Sequence, residues 1–319
     1  MKAESSNIEH PMPDIAMRSL EHDHGTLDWV GMREIRLPVR VQDGAEICEV
    51  VGSVQMYVDL LDPKAKGIHM SRLYVLLDEA TRSRTFSPAS LQQFLQEMLD
   101  SHSEVSSRAY LEMSFERPLR RSSLVTDHAG WGSYPGTIRG IRSTTDRIVE
   151  MCFTVKYSST CPASAALARQ SIQEQFEQDF EQSNTVEPKH VKRWLGSTQG
   201  IVATPHGQRS RADITVRLSE HSENFPLTEL IDRVENSLAT PVQTAVKRED
   251  EQEFALLNGQ NPMFCEDASR RLKQSLEETA GLLDFLVRVE HFESLHAHNV
   301  ASWVAKGVPG GLQANPNST

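Results

Sequence analysis

The chain predicts an α+β protein made of a duplicated unit, with antiparallel sheet and helices on one face. Three observations predict it. Strand-like alternation and helical spacing follow one another as strand, strand, helix, helix, strand, strand, and this order runs through twice in 319 residues. Apolar residues make up 38% and charged residues 24%, the balance of an ordinary soluble chain able to bury a core. The length fits two small domains or one long folded unit. No residue identity is visible between the two passes, so the duplication rests on pattern alone.

Residues 1–25 are polar, acidic and proline-bearing and read as a flexible segment. A strand pattern begins at Trp29 and runs through residues 35–41, and a second, rich in Val and Tyr with polar residues between, spans 47–60. Leu91, Phe94, Leu95, Met98 and Leu99 then fall at helical spacing over residues 88–101, with Ser87 as cap and Pro88 at the first helical position. Strands at 109–115 and 137–141 close a first module over residues 26–144. The second module, 145–307, repeats the order: strands at 148–157 and 212–218, helices at 227–238 and 267–279, strands at 285–292 and 300–305. It carries an insertion over 165–200, Gln/Glu-rich and then amphipathic at 191–195, which reads as a helical excursion on the surface. Residues 308–319 read as a disordered tail; its Asn317-Ser318-Thr319 sequon has no route to a glycan without secretion.

A formal net charge of -11 excludes broad nucleic-acid binding, which needs many cationic contacts to phosphates. Any phosphate site must be local, and Lys64, Lys66, His69 and Arg72, or Arg209 and Arg211, are close enough in sequence to form one. Apolar runs fall far short of a membrane span and the N-terminus lacks a secretory pattern, so no membrane partner and a cytoplasmic location are expected. Four cysteines in so long a chain make no disulfide framework. Cys48 and Cys152 lie inside apolar strand patterns and read as core.

Chemistry gathers in four short stretches of the second half: Ser158-Ser159-Thr160-Cys161-Pro162-Ala163-Ser164, Thr204-Pro205-His206-Gly207-Gln208-Arg209-Ser210, Asn261-Pro262-Met263-Phe264-Cys265-Glu266-Asp267 and Glu293-Ser294-Leu295-His296-Ala297-His298. Together they hold a thiol, imidazoles and carboxylates, the ligand types of a zinc-like catalytic site. Pro162 places Cys161 at a helix N-cap, where unpaired backbone N–H groups favour the thiolate. His206, between Pro205 and Gly207, sits in a turn from which its ring can reach a neighbour. His296 and His298, two apart after Glu293, would present both rings on one side of an extended chain. Glu251 stands in the run Lys247-Arg248-Glu249-Asp250-Glu251 and by itself reads as solvated charge. Glu266, after an apolar trio, reads either as a carboxylate with a specific partner or as a helix-start charge favoured by the macrodipole.

At these residues the chain resembles the prokaryotic type IB GTP cyclohydrolase I family of the tunnelling fold. The resemblance runs from about Pro11 to Ala305 and includes Met12-Pro13-Asp14-Ile15-Ala16, Val30-Gly31-Met32 and Lys66-Gly67-Ile68-His69-Met70-Ser71-Arg72. It implies tandem tunnelling-fold modules assembled as a homotetramer. The implied reaction converts GTP to 7,8-dihydroneopterin triphosphate and formate. By the resemblance Cys161, His206 and Glu251 would hold a divalent metal, and this mixed donor set suits zinc, manganese or iron. His296 would be the general acid and base, supported by Glu293 and His298. Glu266 would accept hydrogen bonds from the guanine edge, while Lys64, Lys66, His69 and Arg72, with Arg209 and Ser210, would hold the triphosphate.

Two features depart from the family. Many members carry a second cysteine two residues after the first; Ala163 stands there, so any role of that thiol is absent or moved, with Ser164 the nearest substitute. The spacing between Cys161 and His206 is also expanded by the 165–200 insertion. Two other readings compete: a nitrile reductase of the same fold, using a cysteine nucleophile and NADPH, and a purine- or metal-binding protein without turnover. The reductase has no need for the His206 and Glu251 pair.

Overall fold

Apolar alternation builds the strands, and the computed structural model of the chain describes residues 25–316. In order they form β1 (Leu27–Asp43), β2 (Glu46–Leu60), α1 (Met70–Ser83), α2 (Pro88–Ser101), β3 (Ala109–Ser122), β4 (Ala129–Arg142), β5 (Arg147–Thr160), α3 (Pro162–Phe180), α4 (Pro188–Leu195), β6 (Gly207–Leu218), α5 (Leu227–Leu238), α6 (Arg248–Gln260), α7 (Cys265–Glu277), β7 (Leu282–His291) and β8 (Val300–Ala305). The eight strands make one antiparallel sheet in chain order. The expected boundary between modules falls in the turn between β4 and β5, but those strands pair from Gly136 to Arg142, and one apolar core runs under both halves. The first half runs strand, strand, helix, helix, strand, strand, while the second adds α3 and α4 between β5 and β6 and has three helices, α5 to α7, between β6 and β7.

One face of the sheet is apolar and carries the helices. Val54, Met113, Ile138, Met151, Val216 and Phe285 occupy one row across it, all essentially inaccessible. Leu91, Phe94, Leu95 and Met98 of α2 and Leu230, Ile231 and Val234 of α5 cover it. The opposite face alternates charge instead: Glu112, Arg139, Glu150 and Arg217 form a cross-strand series of ion pairs, and Asp213 meets Arg288. Period-two geometry thus sorts every strand into a core side and a polar side.

The β1–β2 tip is held across the helical face. Gln42 N donates to Phe86 O, Gly44 N to Phe225 O, and the buried Asp43 accepts from Arg117 and Thr228. The Val30-Gly31-Met32 motif has a steric reason: a Cβ on Gly31 would collide with the Met56 carbonyl.

Three expectations change, and the insertion is helical as expected. Helix α1 was absent from the pattern reading although Leu73, Leu77 and Ala80 are buried along one stripe, because its first turn offers no capping side chain. Helix α6 was read as plain charge because only Asp250 of its residues is buried. The insertion is the helix α3 with α4 packed back on it, Trp194 lying against Phe176 and Phe180. The tail, expected loose, is tied at Leu312, whose N–H donates to Asp284 at 2.6 Å. The N-terminal segment 1–24, with its Met12 to Ala16 motif, and the terminal sequon lie outside the described residues.

Candidate active site

Antiparallel order sends successive connections to alternate ends of the sheet. The β5–β6 connection from Cys161 to His206 and the β7–β8 connection with Glu293, His296 and His298 share one end. Lys64, Lys66, His69 and Arg72 lie in the β2–β3 connection, which leaves from the other end. Within one chain the two groups are separated by the length of the strands.

At the first end, cross-strand register assembles the site in rows on the helix-covered face. Tyr157, Ser210 and His291 are neighbours on β5, β6 and β7. One step outward Ser159 faces Gln208. Beyond the strand ends Cys161 N donates to His206 O at 3.2 Å, which brings the two backbones together. Cys161 is the N-cap of α3, Pro162 follows at the start of the helix, and the half-buried thiol makes no capping bond. Ser164 is spent on structure: its hydroxyl accepts the His206 backbone N–H at 3.1 Å, while Ala163 faces solvent.

The His206 ring points its Nδ1 at Gln208 Oε1, 3.1 Å away, with Glu293 Oε1 at 3.9 Å. Glu251 lies in the first turn of α6 and lines a cavity of about 520 Å³ with Tyr157, Gln208, Arg209, Val246 and Phe254. Its place is set by the neighbouring Asp250, which accepts from Val125 N, Thr126 N, Thr126 Oγ1 and Lys247 N at 2.6–2.9 Å. Burial alone would raise the Asp250 pKa; the bonds from Thr126, Lys247 and Val125 outweigh it and hold the carboxyl well below its usual range. Glu266 is exposed in the first turn of α7, and Met263 N, bonded to Thr160 O at 3.0 Å, ties that helix start to the end of β5.

His296 and His298 do share one side, their rings stacked at 5.0 Å and 8°, but on a bent loop rather than an extended strand. Ser210 is a correction. It is fully buried, and its hydroxyl meets Ser159 Oγ at 2.7 Å, so it belongs to the interior network and is not placed to touch a triphosphate. Arg209, on the opposite parity, is exposed at the cavity. Among the described residues no three His, Cys, Asp or Glu side chains already stand close enough to hold a metal. The donor types nonetheless suit one: a free thiol at Cys161, an imidazole at His206 whose Nδ1 is engaged, and the Glu251 carboxylate in a cavity lined also by Gln208, the residue that bonds the His206 ring.

The pattern reading missed the polar network behind these donors. Tyr157 OH meets His291 Nε2 at 2.9 Å, His291 Nδ1 meets Ser159 Oγ at 3.3 Å, and Gln208 Nε2 donates to Ser159 Oγ at 3.0 Å. Burial pushes His291 down to about 4, against the pull of Glu266 and Glu293, so it is neutral near pH 7. A signal was available: these residues occupy core-side positions continuing Met151, Phe153 and Val155, Ala212 and Ile214, and Val287 and Val289, where alternation calls for apolar side chains.

One end of the α+β sheet thus carries a thiol, imidazoles and carboxylates on neighbouring connections, with Glu251 lining a cavity there. Comparison with known proteins is specific. The family model of type I GTP cyclohydrolase folE2 matches residues 12–302, and the chain belongs to that family. It is 47% identical over 307 residues to the GTP cyclohydrolase FolE2 of Hydrogenovibrio crunogenus, covering 96% of this chain and 98% of that one. It is 48% identical over 307 residues to the GTP cyclohydrolase FolE2 of Pseudoalteromonas translucida, covering 95% and 100%. Among solved structures, a uricase from Arthrobacter globiformis aligns over 92% of this chain and 97% of its own at 9% identity, with a TM-score of 0.47. No described helix is long and apolar enough to cross a membrane.

Proposed function

We propose that the chain is a GTP cyclohydrolase I, taking GTP and one water to 7,8-dihydroneopterin triphosphate and formate. The observation that carries the reading is that the chain belongs to the family over nearly its whole length; the backbone bond from Cys161 to His206, at the sheet end where Glu251 and Gln208 line a cavity, supports it. Cys161, His206 and Glu251 would hold zinc, manganese or iron. A divalent ion there supplies Lewis acidity and makes a water nucleophilic at neutral pH.

The remaining residues bind and move protons. The exposed Glu266 carboxylate presents two acceptor oxygens to the paired N–H groups of a guanine edge. His296 would exchange protons during ring opening and rearrangement, because an imidazole can both accept and donate one. Glu293 stands against His206, and His298 stacks on His296, so both act through their neighbours. Arg209 offers a cation at the cavity rim. Lys64, Lys66, His69 and Arg72, at the far end of the strands, would meet the triphosphate of a site on another subunit. The sheet ends on β1 and β8, whose outer edges pair with no strand among the described residues, so further copies can extend it toward a homotetramer.

The relatives from Hydrogenovibrio crunogenus and Pseudoalteromonas translucida are GTP cyclohydrolases, and the nitrile reductase reading is not favoured. The test is to load the protein with zinc, manganese or iron, add GTP, and measure formate and, after oxidation, pterin fluorescence. Absence of both products with all three metals would remove the cyclohydrolase reading.

A further inference from the structure

Metal-binding histidines work through one ring nitrogen, and the partner of the other decides which. In His206 two acceptors face Nδ1: Gln208 Oε1 at 3.1 Å and, farther away, Glu293 Oε1 at 3.9 Å. Both favour a proton there. With Oε1 on His206 the other end of the Gln208 amide is also engaged, Nε2 donating to Ser159 Oγ at 3.0 Å. Ser159 Oγ has three neighbours, Gln208 Nε2, Ser210 Oγ at 2.7 Å and His291 Nδ1 at 3.3 Å. A hydroxyl accepts two hydrogen bonds and donates one, so all its capacity is used. Behind it, His291 is fixed at its other nitrogen by Tyr157 OH. Ser159, Ser210 and His291 are all at least 96% buried, and Gln208 is 9% exposed, so water competes little for these bonds.

We propose that Gln208 is a positioning residue that holds the His206 imidazole with its proton on Nδ1, leaving Nε2 as the nitrogen able to take an ion, and that Ser159 and His291 in turn hold Gln208. This rests on the reading of His206 as a metal ligand. The register makes the arrangement possible: Ser159 pairs with Gln208 and Ser210 with His291, so four side chains from three strands stand in adjacent rows. Turning the Gln208 amide over would present N–H to Nδ1 and shift the ring proton to Nε2, where it would block coordination.

The test uses full-length protein with two readouts. In metal-free protein, nitrogen NMR of the His206 ring reports which nitrogen carries the proton. Competition with a chromophoric chelator reports zinc and manganese affinity. The parent should show the Nδ1–H form. Gln208→Leu, which keeps the bulk and loses the acceptor, should show a mixture and bind metal about 10- to 100-fold more weakly, the usual cost of losing an outer hydrogen-bond partner. Gln208→Glu, which restores an acceptor, should recover both. Should Gln208→Leu fail to fold, Ser159→Ala, which releases the amide without adding bulk, should give the same change at smaller size. Unchanged ring protonation and affinity in Gln208→Leu, or a Gln208→Glu no better than it, would overturn the proposal. His206→Ala separates the two levels: if it leaves metal affinity intact, the metal-centre reading falls; if it abolishes binding while Gln208→Leu does not, only the role of Gln208 falls.

Discussion

Acidification should destabilise this protein through His291, and by an amount its surroundings fix. The ring is 4% exposed, and burial takes its pKa from 6.5 to about 4, although Glu266 and Glu293 pull it upward. Its other titratable neighbours stay neutral over this range, since burial raises both the Tyr157 hydroxyl and the Cys265 thiol. A histidine whose folded pKa lies below its unfolded value leaves stability whole above about pH 6.5 and removes it as pH falls toward 4, because the unfolded chain binds the proton first. At about 1.4 kcal/mol per pKa unit, the displacement amounts to about 3 kcal/mol, of which about 2 kcal/mol is gone by pH 5. The assay is urea unfolding of metal-free protein at fixed protein concentration between pH 4 and 7.5, with His291→Gln alongside. The variant cannot take up that proton, so it should start less stable at pH 7 and lose less on acidification, the curves converging by about 3 kcal/mol. Parallel curves would refute the claim that this ring is held neutral.

Further outcomes follow from the site. Cys161→Ala and His206→Ala should each lose bound metal and with it all turnover, whereas His296→Ala should keep its metal and lose roughly 100-fold or more in kcat, as expected for a proton-transfer group; metal analysis beside single-turnover rates separates the two. Glu266→Ala should weaken GTP binding by about tenfold to a hundredfold, the scale of charge-assisted hydrogen bonds, with metal content unchanged, as titration of metal-loaded protein would reveal. Asp250→Ala should lower the melting temperature and speed amide exchange at Val125 and Thr126, whose N–H groups it accepts, and it should weaken metal binding through Glu251; normal exchange at both amides would contradict the clamp.

Much of the fold was legible because apolar periodicity is strong where burial is strong. Helices α2 and α5 begin and end where pattern puts them, each with a full buried stripe. β8 likewise matches its alternation. Elements went unseen where tertiary structure supplies what sequence withholds. Helix α6 buries only Asp250, and a carboxylate that gathers three donors from a distant loop and a fourth from its own N-cap looks, in a linear reading, like one more charge in an acidic run. The early part of β4 was missed for a related reason: residues 129–136 contain three glycines and a proline, poor strand formers, yet they pair with β3 from Ser122 back to Phe115.

The site divides along the same line between what identity announces and what register decides. Cys161, His206 and the His296–His298 pair stand out by residue type and local placement, whereas Glu251, which alone reads as solvated charge, is named only through the family resemblance, as are the roles of Glu266 and His296. Their roles depend on neighbours brought by pairing across strands. Ser210 and Arg209 are adjacent in sequence and equally plausible as phosphate ligands, yet period two sends one into the core against Ser159 and the other to the cavity rim. The same alternation turns Tyr157, Ser159, Gln208 and His291 inward at the end of an apolar core, where each unpaired polar atom would cost about 1–3 kcal/mol. Such a row persists only if its members satisfy one another, and a mutually satisfied row has few alternative arrangements. That restriction lets an imidazole at its outer end be held in one orientation.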